Sequence, residues 1–263
     1  MARRGGRDQH RVRRRPGRVR HPAPARARTR LSPVAASKTK KAGRKRAPRV
    51  LRGAALRAHA REIQRRLVAE YPDAHCELDY RTPFELAVAT VLSAQCTDKR
   101  VNMVTPELFR RWPDARALAK APVEEIEEVI RSTGFFRNKA RSLSGLAQAV
   151  VAEHGGELPR TMEALVVLPG IGRKTANVVL SNAFDTHEGI VVDTHVARLV
   201  QRFGLTRETD AVRIERVLQP LFDRPTWGML SHLLIWHGRR VCDARKPRCG
   251  DCTLNDICPS STT

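Results

Sequence analysis

LPGIGRKTA, residues 168–176, sets two glycines one residue apart behind a proline and follows them with Arg173 and Lys174. Glycine accepts a positive φ and lets another backbone approach closely. Leu165, Leu168 and Ile171 are apolar around the turn, and a helical pattern resumes near Arg173. The expected unit is helix, glycine hairpin, helix. The free N–H groups at the start of the second helix point back toward the turn and, with the helix dipole, make a place for a phosphate. Tight helix–helix turns also need glycine for packing alone, so the turn by itself leaves both readings open.

Lys174 stands where that second helix begins. A cation at a helix N-terminus is disfavoured by about 0.3–1 kcal/mol, and burial would penalise the charged form further. Both effects favour a partly deprotonated amine, which is a nucleophile toward a sugar carbon and forms Schiff bases. A solvated lysine that touches phosphate is the competing reading.

Outward from the hairpin the pattern is helical almost throughout from residue 53, and the fold class is all-α. Leu56, Ile63, Leu67 and Val68 space as one apolar helix face. Thr82-Pro83-Phe84-Glu85 combines a cap, proline at the first helical position and glutamate at the third. The helix it opens is expected to run through FELAVATVLSAQ, to Gln95. Pro122 opens another, with Ile126, Val129 and Ile130 facing inward. Further runs lie at 138–153, 161–167, 173–183, 194–203, 208–219 and 226–237. IVVD, residues 190–193, is the best short extended run.

The composition narrows the function. The net charge is +22 over 263 residues. Residues 1–50 carry 19 of the 49 Lys and Arg against a single acid, Asp8. Such a segment cannot bury enough apolar surface to fold, so residues 1–52 are expected to be a disordered basic tail. Its charge favours an anionic partner through salt-sensitive, sequence-independent phosphate contacts. No apolar run reaches membrane-spanning length. The N-terminus lacks the apolar core of a secretory signal; it is Arg-rich like a transit peptide but has no amphipathic repeat, so organellar import stays open beside a cytoplasmic location.

VVDTHVARLV, residues 191–200, puts Asp193 between an apolar extended run and a helix. Aspartate is a common N-cap. A capping carboxylate is held rigidly, and can take a proton from the lysine or stabilise positive charge developing on a sugar. His195 either lines such a pocket or packs.

Four of the six cysteines, Cys242, Cys249, Cys252 and Cys258, follow the spacing C-x6-C-x2-C-x5-C. Four thiolates within so short a stretch can hold a metal centre in a reducing compartment. Zinc sites built from cysteines usually show two close pairs, whereas an iron–sulfur cube accepts wider spacing; spacing alone leaves both. Cys76 and Cys96 read as structural thiols in apolar helical contexts.

LPGIGRKTA, VVDTHVARL and the cysteine tail, in this order, resemble the endonuclease III family, bifunctional DNA glycosylases of the helix-hairpin-helix superfamily. LSAQCTDKR at 92–100 and TGFFRNKA at 133–140 resemble further blocks of it. The resemblance covers about residues 53–260. It implies a six-helix barrel domain at 76–186, a cluster domain made of 53–75 and 187–263, and a DNA groove between them. It further implies a [4Fe-4S] cluster on the four cysteines, Lys174 as nucleophile and Asp193 as its essential partner.

The implied reaction is base excision with AP lyase activity. The amides of Gly170 and Gly172, beside Arg173, grip a phosphate, and the damaged base is extruded because its sugar is unreachable in the stack. Gln95 fills the vacated space and Phe135 wedges the opposite strand, although the family often has an aliphatic residue there. Lys174 displaces the base and forms a Schiff base, and β-elimination breaks the strand. Asp98 and His195 are further expected pocket residues. The implied partner is double-stranded DNA carrying oxidised pyrimidines or abasic sites, met by a monomer in the bacterial cytoplasm at the nucleoid. The adenine-mismatch glycosylases share the fold but normally lack a lysine at the position of Lys174 and carry an extra C-terminal domain. A non-enzymatic helix-hairpin-helix module would not need the Lys174–Asp193 pair. Removing residues 1–50 is expected to weaken the salt-dependent part of DNA affinity and to leave turnover intact, as measured by binding and nicking across a salt series.

Overall fold

The computed structural model describes residues 51–263; the expectation of a disordered tail falls on residues 1–50 and lies outside the described residues. Eleven α-helices and four short 3-10 turns make up the described chain, with no strand among the described residues. Two separate hydrophobic cores organise them.

The first core lies between Leu78 and Leu180. At its centre is α2, Pro83–Leu92, in which every residue from Phe84 to Leu92 is buried. A helix apolar on all sides must be surrounded, and α3 (Asp98–Arg111), α6 (Phe136–His154) and α8 (Arg173–Ala183) pack against it. The capping expectation holds: the Glu85 N–H donates to Thr82 Oγ1 at 3.1 Å, and the Glu85 carboxylate reaches back to the Arg81 N–H at 2.7 Å. α4 (Ala115–Ala119), α5 (Val123–Ile130) and α7 (Met162–Val166) close the unit. Ile126 and Ile130 are buried as the pattern requires, while Val129 is only partly covered.

The second core draws on both ends of the described chain, residues 60–74 and 190–254. It is built from α1 (Gly53–Glu70), α9 (Thr194–Arg202), α10 (Ala211–Leu218) and α11 (Trp227–Arg240). In α9 the buried set is Val196, Leu199 and Val200, one helical stripe.

Several local expectations are corrected. α2 stops at Leu92 rather than reaching Gln95, whose φ is +53°. The Ser93 hydroxyl bonds to the Thr90 carbonyl at 2.8 Å, and the chain turns there. The expected extended run at 190–193 stands without a strand partner: Ile190, Val191 and Val192 are buried, Asp193 has extended backbone, and the Val191 N–H donates to Ser231 Oγ at 3.1 Å. Val68 is 45% exposed and leaves the inner face of α1 to Ile63 and Leu67. Cys76 and Cys96 lie in connecting segments instead of helices, half-buried against the first core.

In the hairpin, Leu168 and Ile171 are each 3% exposed and pin the turn to the first core, while Pro169, Gly170 and Gly172 stay at the surface. Gly170 has φ +79°, and a Cβ there would sit 3.0 Å from Ser142 Cβ. Gly172, at φ −91°, has no such need; it is the N-cap of α8, and a Cβ on it would meet nothing within 4 Å. The requirement for glycine therefore falls on Gly170. Gly170→Ala is expected to lower stability by about 1–3 kcal/mol through strain and crowding, read as a fall in the urea midpoint, whereas Gly172→Ala stays within about 1 kcal/mol.

Candidate functional site

Lys174 sits in the first turn of α8, and Asp193 is the N-cap of α9, its Oδ1 accepting from the Val196 N–H at 2.8 Å. The capping role expected for Asp193 is present. The two residues come from different cores and line one cavity between them, with Thr90, Ser93, Asp98, His232 and Arg239 on its walls. Lys174 itself is exposed, so the expected contribution of burial to its chemistry is absent. Its position at the N-terminus of an 11-residue helix remains. No ion pair joins Lys174 to Asp193 among the described residues.

The other expected residues divide into groups. Asp98 faces the cavity but is held by Arg239, whose Nη2 donates to Asp98 Oδ2 at 2.7 Å and whose Nη1 meets Glu77. His195 lies outside the Lys174 cavity; it lines an adjoining opening with Asp98, Lys99 and Met103. Arg198 Nη2 donates to its Nδ1 at 3.2 Å, and burial, reinforced by the Arg198 and Arg239 charges, pushes its pKa down against the pull of Asp193. Its imidazole is half-buried, and its charged form is disfavoured. Arg173 turns to the buried Glu215, with Nη2 donating to Oε1 at 3.0 Å. Gln95 and Phe135 line neither cavity. Both are exposed and both have left-handed backbones, at φ +53° and +48°. Around the hairpin, the N–H groups of Gly170 and Gly172 have no backbone partner among the described residues.

Cys242, Cys249, Cys252 and Cys258 converge on a second cavity, beside Arg202 and Phe203. No three His, Cys, Asp or Glu side chains among the described residues converge closely enough for a single metal ion. Four thiols lining one cavity are the donor set that holds an iron–sulfur cluster. The surroundings supply donors for anionic sulfur. Arg202 Nη1 donates to Cys242 Sγ at 3.1 Å, and the Leu254 N–H to Cys252 Sγ at 3.4 Å. His237 Nε2 lies 3.4 Å from Cys252 Sγ, with Tyr71 Oη 3.0 Å from its Nδ1. Burial pushes the His237 pKa down to about 4, so the ring is neutral and donates from one nitrogen only. Such outer contacts orient and tune metal ligands.

Residues 88–224 match the model of the HhH-GPD superfamily of base excision DNA repair proteins, and residues 242–258 that of the iron-sulfur binding domain of endonuclease III. Endonuclease III of Synechocystis sp. is 56% identical over 208 residues, which are 79% of this chain and 95% of that protein. The chain belongs to the endonuclease III family. Solved structures agree. A non-covalent endonuclease III–DNA complex matches with a TM-score of 0.74 and 41% identity, over 78% of this chain and 95% of the other. A trapped endonuclease III–DNA covalent intermediate with an estranged adenine has the same score and identity, over 78% and 96%. The endonuclease III assignment makes the chain a base excision DNA glycosylase with a [4Fe-4S] cluster as its cofactor. No helix among the described residues is long and apolar enough to cross a membrane.

Arg239 and Glu215 were missed by sequence reasoning, and both meet partners distant in the chain. One titration in the site is legible. His232, on the cavity wall, donates from Nε2 to Asn182 Oδ1 at 2.8 Å. Burial, then the nearby His75, push its pKa from 6.5 down to about 4. Folding therefore favours the neutral ring: its contribution is fully present above pH 6.5 and is lost as pH falls from 6.5 toward 4. Stability is expected to decline in that window by up to about 1.4 kcal/mol per pH unit for each such histidine. His232→Gln, which removes the titrating group, is expected to reduce the slope of the urea midpoint against pH between about pH 4 and 6.5.

Proposed function

We propose that this glycosylase is bifunctional: Lys174 attacks the sugar of a damaged pyrimidine nucleotide in duplex DNA, and the strand is then broken by β-elimination. The observation that carries the reading is the meeting of Lys174 and Asp193 in one cavity between two cores, each at the N-terminal end of a helix. An amine and a carboxylate facing a common space supply nucleophile and proton acceptor. The two cores support a division into a barrel domain at 76–186 and a cluster domain formed by 53–75 and 187–263, with the DNA lying along the groove.

The steps follow from the residues. The free amides of Gly170 and Gly172 and the N-terminus of α8 take a phosphate beside the lesion. The damaged nucleotide leaves the stack and its sugar enters the cavity. Gln95 and Phe135 enter the duplex in its place; an exposed aromatic ring on a left-handed residue is suited to wedging rather than to packing. Asp193 accepts a proton from the Lys174 ammonium. Nζ forms a bond to C1′ as the C1′–N bond to the base breaks, and the sugar ring opens to a Schiff base. The imine acidifies the C2′ proton, whose removal expels the 3′ phosphate, and water then frees the lysine. Asp98, held by Arg239, and the polar walls at Ser93 and Thr90 face the sugar and base. The [4Fe-4S] cluster is held by Cys242, Cys249, Cys252 and Cys258 and ties the C-terminal segment to α9 and α11. Oxidised or ring-saturated pyrimidines and abasic sites are the proposed substrates, met by a monomer in the bacterial cytoplasm at the nucleoid.

A thymine-glycol duplex treated with borohydride is expected to leave a covalent adduct on the wild-type protein and none on Lys174→Ala. Cleavage by the variant is expected to fall on the order of a thousandfold, about 4 kcal/mol of barrier, with DNA binding retained. Equal loss of binding and cleavage would instead assign Lys174 to phosphate contact.

A further inference from the structure

Lys139 is 6% exposed, an unusual place for a charge. It lies one turn into α6 and carries no acidic partner among the described residues. Its ammonium donates to two backbone carbonyls, Leu92 O and Thr133 O, each at 2.8 Å. Its own backbone N–H donates to Phe135 O at 3.1 Å. Burial pushes its pKa down, opposed by the nearby Cys96.

The two carbonyls belong to segments that carry two of the three exposed left-handed non-glycine residues among the described residues, Gln95 and Phe135, the third being Asp185. Leu92 ends α2, and Gln95 follows three residues later. Thr133 closes the turn before Gly134 and Phe135. Non-glycine residues in the left-handed region persist only where their surroundings hold them. Methionine would fill the same space at lower desolvation cost, so packing alone does not account for a lysine here. One ammonium joins both turns, and no other side chain among the described residues hydrogen-bonds to both.

We propose that Lys139 is a positioning residue that sets the spacing between the Gln95 and Phe135 turns, so that both side chains enter duplex DNA in register when a base is extruded. This rests on the reading that Gln95 and Phe135 are the inserted groups. Lys139 does not touch substrate; it acts through the two backbones. Its role concerns the opening of a paired duplex, and not the chemistry at Lys174.

The test uses the full-length, cluster-loaded protein and compares Lys139→Met, Lys139→Gln, Gln95→Ala and Phe135→Ala with wild type. Two single-turnover rates are measured: excision from a lesion duplex, and cleavage of single-stranded abasic DNA, which needs no wedge. A 2-aminopurine placed opposite the lesion reports estrangement of the partner base by its fluorescence. Lys139→Met is expected to lower duplex excision by about tenfold to a hundredfold, the scale of a misplacement near 1 Å. Single-strand cleavage should stay within about twofold, the 2-aminopurine signal should fall, and Lys139→Gln should recover part of both. The double variant Lys139→Met/Phe135→Ala should be no worse than the poorer single variant, because both remove one coupled event. If Gln95→Ala and Phe135→Ala leave the duplex-to-single-strand ratio unchanged, the insertion reading fails. If they lower it while Lys139→Met lowers both rates equally or neither, the role of Lys139 is overturned. Should Lys139→Met not retain the cluster, the same criteria apply to Lys139→Gln.

Discussion

The structure depends on leaving one helix N-terminus open while everything beneath it is packed. Leu168 and Ile171 are the anchors: both are buried in the first core and hold the intervening Pro169 and Gly170 at the surface. A helix start normally has its orphan N–H groups satisfied by a cap. At α8 the N-cap is Gly172, which has no side chain to do so. The polar end is therefore kept available, and Lys174 projects from it into the cavity shared with Asp193. A residue with a capping side chain at Gly172 would occupy the place where a phosphate is expected.

The cavity exists only as long as the two cores keep their places, and a small set of polar contacts ties the helices on either side. Glu215 of α10 takes Arg173 at the start of α8. Arg239 of α11 takes Asp98 at the start of α3 and Glu77. His232 of α11 takes Asn182 near the end of α8. Gly189 lies so close to Glu215 and Asn177 that a Cβ would collide with both. These contacts tie together the helices from which Lys174 and Asp193 face one cavity, and the two are not paired to each other among the described residues. The cluster cavity is tied to the same framework: Arg202 at the end of α9 and His237 on α11 both reach its sulfurs.

Much of this was legible because it is local in the chain. Thr82 and Asp193 announce helix starts through hydrogen bonds spanning three residues. The hairpin is written in consecutive residues, and the four cysteines lie within one short segment. Their motifs together were enough to place the chain in its family. The errors also share a cause. Val68 fits the stripe of α1 but faces solvent, since which part of a stripe is covered depends on the neighbouring helix. Gln95 continues an apolar run by pattern, yet the chain turns before it.

What the sequence by itself determined is the all-α class, most of the helices though not α3 or α4, the glycine hairpin and the four-cysteine spacing, each by a rule that acts over a few residues. Tertiary structure alone decided that Lys174 is exposed rather than buried, that His195 stands in an adjoining opening, that Arg173 is engaged by Glu215, and that Lys139 joins two distant turns. Most of these depend on contacts between residues tens of positions apart in the chain, such as Arg173 with Glu215 and Lys139 with Leu92. Such contacts are fixed by how the cores close, and helical periodicity carries no record of them.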